Sequence, residues 1–395
     1  MSLRGLYKDT SIIFTNFVVL FIVVNVIGFV GLQVRDLLKA YGGSTVPGNP
    51  WAEKAKVYPG LDGDQIYRLF METWEWRKYG YVPFSQLTEQ PYEGEFVNVS
   101  PAKFRKGKTE TPWPPPEDAK TVFVFGGSTT FGYGVPDWQT VPSYLSESLQ
   151  SKGGDNVLVY NFGRAYFYST HEMLEFLRLL SNQHRPDVAV FLDGLNEFYY
   201  HKDELIWEKR LARLTEKAAP SGGQLLLMMS RKLPAYEFGA FLIRYLGGGG
   251  KSRVEQAKEN IEKIASGGGQ KTSNRVIDRY LRNKTLIETL GQQFNTKTLF
   301  VWQPVPTYKY DLKYHLFAHL IPKRHTGTRS SYHVARTRFD KGDFGDNIAW
   351  CADIQENLKK PLYVDSVHYT ADLSRLLADC ILDKTNLKDI VSNPR

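Results

Sequence analysis

Val122 to Phe125 is an unbroken apolar run of β-branched and aromatic residues, and such a run reads as a strand buried on both faces. Gly126 and Gly127 end it, and Ser128 follows where the chain must turn. A helix-compatible segment, Val141 to Ser151, comes next. A serine at the C-terminal end of a central parallel strand stands where open α/β sheets place their ligands. Paired glycines let the backbone turn sharply and approach a reacting group. A phosphate-binding loop is excluded, because no lysine follows Gly132. The nucleophile elbow G-x-S-x-G is excluded as well, because Thr130 stands two residues after Ser128. A serine nucleophile of another α/β type and a purely structural turn both remain open.

The rest of the chain supplies a βαβα rhythm. Strands are predicted at Val157 to Tyr160, Asp187 to Leu192 and Thr298 to Trp302, and helices at His171 to Asn182, Arg275 to Phe294 and Ala371 to Leu382. This alternation predicts an α/β fold with a doubly wound parallel sheet over residues 120–390. Between Tyr199 and Ser273 lies an insertion whose glycine runs, Gly247 to Gly250 and Gly267 to Gly269, flank a polar helix from Ser252 to Ala265. A lid over the sheet and an excursion without function both fit it.

Ahead of the sheet, residues 1–11 form a short polar tail. No charge then occurs from Ile12 to Leu32. About 20 apolar residues in a helix match the hydrocarbon thickness of a bilayer, and no small-residue cleavage site follows. Residues 12–32 are therefore expected to be an uncleaved transmembrane anchor. Arg35, Lys39, Lys54 and Lys56 beyond the span weaken the charge rule for orientation, but a large domain after a lone N-terminal anchor favours a cytoplasmic N-terminus. Residues 33–119 read as a Gly/Pro-rich linker and an aromatic extension. The extension has a helix over Asp64 to Lys78, an edge strand at Phe96 to Val99, and a stiff hinge at Trp113 to Asp118. Trp76, Tyr79, Tyr81 and Phe84 are expected to pack on the main domain, with a sugar-stacking platform as the alternative.

The 395 residues carry a net charge of +8, yet Lys and Arg are dispersed among acids and no nucleic-acid motif occurs. Cys351 and Cys380 fit neither a disulfide framework nor a metal site. Two buried free thiols are preferred over a pairing between them. No cofactor or metal is expected.

A serine nucleophile needs a base, and the base needs an orienting acid. Among the eight histidines, only His368 has an acid three residues before it, Asp365, in a tight turn leading into the final helix. Asp365 would hold the imidazole while the other ring nitrogen takes the Ser128 proton. Acyl transfer also needs donors aimed at an oxyanion. Gly163, just past the second strand, offers its N–H, and Asn196, just past the third, offers its side-chain amide. A turn glycine and a helix cap are the ordinary readings of these two residues.

Taken in order, Gly127-Ser128, Gly163, Gly194-x-Asn196 and Asp365-x-x-His368 resemble the four blocks of SGNH hydrolases (the GDSL superfamily), over residues 120–385. The resemblance implies an SGNH/flavodoxin-like sheet and a triad of Ser128, His368 and Asp365. It also implies an oxyanion hole built from the Ser128 N–H, the Gly163 N–H and the Asn196 amide. The first block reads Gly-Gly-Ser rather than Gly-Asp-Ser, and Glu197 replaces the aspartate usual after the asparagine. The expected activity is a membrane-anchored serine esterase acting on an O-acyl group of a cell-envelope glycan or a lipid, alongside envelope polysaccharide machinery. An O-acyltransferase and a silent glycan-binding module are the alternatives.

Overall fold

The computed structural model describes residues 3–41, 54–85, 87–153, 156–200, 230, 233–246, 270–321, 325 and 328–392. They belong to two compact units, Met1–Asn49 with Lys209–Ser252, and Pro50–Glu208 with Arg253–Arg395. In chain order the elements are α1 (Leu3–Tyr41), α2 (Gly63–Met71), β1 (Tyr79–Gly80), β2 (Thr88–Glu89), β3 (Lys120–Gly126), α3 (Ser128–Phe131), α4 (Val141–Gly153) and β4 (Val157–Asn161). Next come α5 (Ser169–Ser181), β5 (Val188–Asp193), α6 (Leu195–Tyr199), α7 (Pro234–Leu246) and α8 (Gln270–Gln293). The chain continues with β6 (Lys297–Trp302), α9 (Thr328–Asp340), β7 (Ile348–Trp350), α10 (Ala371–Lys384) and α11 (Leu387–Ser392).

In the larger unit, five parallel strands run in the order β4-β3-β5-β6-β7. The chain enters at β3, places β4 on one side and then crosses to β5 on the other. The strand order therefore reverses at β3, and a crevice opens outside the C-terminal ends of β4, β3 and β5. Alternating side chains divide the strands into two cores. Phe123, Phe125, Phe191, Phe300 and Trp302 face Phe176 and Leu179 of α5 and Ile277, Tyr280 and Ile287 of α8. Val122, Val124, Val188, Val190 and Val301 face Val141, Leu145 and Leu149 of α4 and Leu373, Leu377 and Ile381 of α10. Both faces are buried, which is why these strands read as apolar runs rather than as alternation.

Several local expectations change. The helix predicted over Asp64 to Lys78 is α2 followed by a π-helical turn, Glu72–Trp76. Its start is a capping box: Gln65 N–H donates to the Asp62 carboxylate at 2.8 Å and Asp62 N–H donates to Gln65 Oε1 at 3.0 Å. The edge strand predicted at Phe96 to Val99 does not form. The buried Glu72 carboxylate instead accepts the N–H groups of Glu95, Phe96 and Val97 at 2.8–2.9 Å, which removes the donors a ladder would use. Isolated bridges from Tyr92 to Val99 and from Val99 to Arg105 remain.

The fifth strand of the sheet is β7, three residues that end just before Cys351. Cys351 and Cys380 are not free thiols. They are bonded, with Sγ–Sγ 2.08 Å and Cα–Cα 6.1 Å, and they tie α10 to the residue just after β7. Residues 252–265 and both glycine runs of the insertion lie outside the described residues.

The smaller unit pairs α1 with α7. A Cβ at Gly28 would stand 2.6 Å from Ala235 N, and Ala235 N–H donates to Asn25 Oδ1 at 3.4 Å. The part of α1 that could span a bilayer, Tyr7–Val34, contains the predicted uncharged stretch 12–32 and begins with Lys8 and Asp9 still on the helix. It is long and apolar enough to cross a membrane.

Candidate active site

Ser128 begins the short helix α3 directly after β3. His368 and Asp365 come from the turn before α10, which is closed by Val364 N–H donating to His368 O at 2.9 Å. The turn carries the imidazole to the serine: His368 Nε2 is 2.8 Å from Ser128 Oγ, and His368 Nδ1 is 2.6 Å from Asp365 Oδ2. Asp365 Oδ1 accepts the backbone N–H groups of Val367 and His368 at 2.9 and 2.8 Å. Burial by itself would raise this carboxyl's pKa. The His368 charge, its hydrogen bond and the two backbone donors outweigh burial and hold the pKa well below the usual carboxylate range. Three residues that are 240 apart in sequence at their ends thus form one hydrogen-bonded line.

The other two predicted residues flank the serine. The Asn196 amide lies over the turn, since a Cβ at Gly127 would stand 2.5 Å from its Nδ2. Only a glycine admits the amide there. Asn196 Nδ2 donates to Phe167 O at 2.7 Å, and an amide nitrogen carries a second hydrogen for another acceptor. Gly163 packs against the end of the α3 backbone, where a Cβ would meet Phe131 N at 2.3 Å and Thr130 C at 2.8 Å. Its N–H donates to Asn161 Oδ1 at 3.0 Å. This is a commitment that its sequence position did not reveal.

Neighbours without a sequence motif complete the site. The Tyr133 ring stacks on the His368 ring at 5.2 Å, and Trp74 meets it edge-on at 6.2 Å. The Tyr133 hydroxyl is hydrogen-bonded to that of Tyr79. The aromatics expected to pack on the main domain are instead open to solvent: Trp76, Tyr79, Tyr81 and Phe84 are 45, 38, 59 and 78% exposed.

Buried Arg105 donates to the Phe131, Gly132 and Val135 carbonyls at 2.6–2.9 Å and to Asp137 Oδ1 at 2.8 Å. These bonds pin the segment that leaves α3. Lys54 donates to Val364 O at 3.4 Å, and its ammonium lies 3.9 Å from the Phe70 ring centroid. Burial lowers its pKa to about 8 against the opposing pull of Asp365. Among the described residues, no group of three or more His, Cys, Asp or Glu side chains is arranged to hold a metal ion.

No family model matches the sequence, and no curated protein matches it. Solved structures of similar fold include a carbohydrate acetylesterase family member from Sinorhizobium meliloti, with 13% identity, 68% of this chain, 98% of that chain and a TM-score of 0.36. The acetyl xylan esterase AlAXEase gives 14% identity, 67 and 98% coverage and a TM-score of 0.35. TesA gives 13% identity, 69 and 99% coverage and a TM-score of 0.34.

Proposed function

We propose that this protein is a membrane-anchored serine esterase of SGNH type, cleaving an ester through an acyl-enzyme on Ser128. The observation that carries the reading is the line from Ser128 Oγ through the His368 ring to Asp365. Ser128 Oγ attacks the carbonyl carbon while His368 Nε2 takes its proton, and Asp365 keeps the ring oriented and stabilises the imidazolium. The tetrahedral oxyanion is met by the Ser128 N–H and the free hydrogen of the Asn196 amide. The Gly163 N–H joins only when Asn161 Oδ1 releases it. His368 then protonates the departing alkoxide. A water activated by the same ring frees the acyl group as the acid and restores the Ser128 hydroxyl.

The catalytic unit acts outside the cytoplasm, anchored by α1. The bond between Cys351 and Cys380 supports this placement, because structural disulfides persist in oxidising compartments. An O-acylated envelope glycan is the substrate class that fits the compartment. The exposed aromatics Trp76, Tyr81 and Phe84 offer faces for sugar rings.

The full-length protein should be labelled by a fluorophosphonate, and Ser128→Ala should abolish both labelling and ester hydrolysis with little change in melting temperature. Turnover that persists in Ser128→Ala would remove this reading. An ester panel run with and without a glycan acceptor separates hydrolysis from acyl transfer.

A further inference from the structure

Asn196 sits on α6, a helix of five residues with no side-chain cap at its start. A single helical turn does not hold itself in water, so something else must fix the amide. The contacts come from α8, the helix by which the chain returns from the insertion. Arg279 Nη2 donates to Glu197 O at 2.9 Å and to Glu197 Oε2 at 3.0 Å, and Nη1 donates to Tyr200 O at 2.6 Å. One guanidinium therefore satisfies carbonyls at the C-terminal end of α6, where a cation is also favoured by the peptide dipoles.

The other oxygen of Glu197 reaches across the crevice. Glu197 Oε1 accepts the N–H of Ser169 at 2.7 Å, while the Asn196 amide donates to Phe167 O two residues earlier. Consecutive side chains thus grip the same short stretch of the loop that follows Gly163. From α8, one turn beyond Arg279, Asn283 Nδ2 donates to Ser169 Oγ and Thr170 Oγ1, both at 2.9 Å. The Arg279 guanidinium lies 4.6 Å from the Tyr168 ring centroid. Glu197 is fully buried and Arg279 nearly so. A buried carboxylate with both oxygens engaged has few alternative positions.

We infer that Arg279 is a positioning residue for the oxyanion amide: through Glu197 it locks α6 to the Phe167–Ser169 loop and so aims the Asn196 amide at the carbonyl oxygen of the ester that Ser128 attacks. The inference rests on the serine-esterase reading. It also gives a role to the glutamate that replaces the usual aspartate, and it makes the helix after the insertion part of the catalytic scaffold.

The test is a double-mutant cycle on the full-length protein with an ester substrate. Asn196→Ala alone should lower kcat about 10²–10³-fold. Arg279→Lys keeps the charge and loses the fork. It should lower kcat about 10-fold, a part of the loss expected when the donor itself is removed, with KM unchanged. On the Asn196→Ala background this further loss should vanish, because a donor that is absent cannot be misaimed. Should Arg279→Lys fail to fold, Glu197→Gln enters the same cycle with the same expectation.

Losses that add in full on the Asn196→Ala background, or a lowered melting temperature with kcat intact, would overturn the positioning role. If Ser128→Ala still turns over, the esterase reading itself has failed, and this role fails with it.

Discussion

Breaking the bond between Cys351 and Cys380 should loosen the element that delivers the triad histidine. The bridge closes a loop with a sequence separation of 29. Loop-closure entropy for that length is worth about 3.6 kcal/mol at 25 °C. The larger unit has roughly 300 residues; at about 2.1 cal/mol/K per residue its unfolding entropy is about 0.6 kcal/mol/K, so reduction should lower the melting temperature by about 6 °C. Cys380 lies on α10, directly after the turn that bears Asp365 and His368, so esterase activity should be lost at a lower temperature in the reduced protein too. The assay is a thermal melt of the full-length protein in detergent, with and without a phosphine reductant, paired with thiol counting after non-reducing denaturation. Zero titratable thiols and a shift near the stated size are expected. Two titratable thiols, or superimposable melts, would refute the reasoning and take away the chemical support for an oxidising compartment.

Gly163→Ala should abolish activity and cost about 1–3 kcal/mol in a denaturant titration, because its Cβ would press on the Phe131 backbone beside the serine rather than on a side chain that can move. Stability should fall as pH rises from 6.5 to 8. Burial raises the pKa values of Glu172 and Asp193, with repulsion from Asp193 and Glu197 adding to it at Glu172 and repulsion from Glu197 at Asp193, so the folded state keeps a proton that the unfolded chain released near pH 4. Each retained proton lowers stability by up to about 1.4 kcal/mol per pH unit. Buried His171 and His315, lowered to about 3 and about 4, cost stability only below about pH 6.5, and Lys54, lowered to about 8, adds an opposing rise that begins only near the top of the window. Urea midpoints at the two pH values check this slope, and Glu172→Gln should flatten it. The uncharged apolar stretch 12–32 within the candidate span Tyr7–Val34 should keep the protein in the membrane fraction through carbonate washing. Protease added to spheroplasts should digest the catalytic unit, and a protected unit would reverse the proposed orientation.

What the sequence determined by itself is what a local pattern can encode. Val122–Phe125 and Val157–Tyr160 read as buried strands because both of their faces meet apolar layers. Ser128, Gly163 and Asn196 could be ordered along one sheet edge because each follows a strand, and parallel strands point the same way. The Asp365–His368 pair was legible for the same reason, since a three-residue turn needs no distant partner.

Tertiary structure decided everything that depends on a partner far along the chain. Cys351 and Cys380 pair because β7 and α10 become neighbours in the folded unit. The Glu72 carboxylate takes N–H groups more than 20 residues away and cancels a strand that propensity favoured. The Gly163 N–H is occupied by Asn161, and Asn196 is held through Arg279, 82 residues beyond Glu197. A buried polar group must find its hydrogen bond wherever the folded chain provides one. That partner is set by packing in space, and no spacing along the sequence records it.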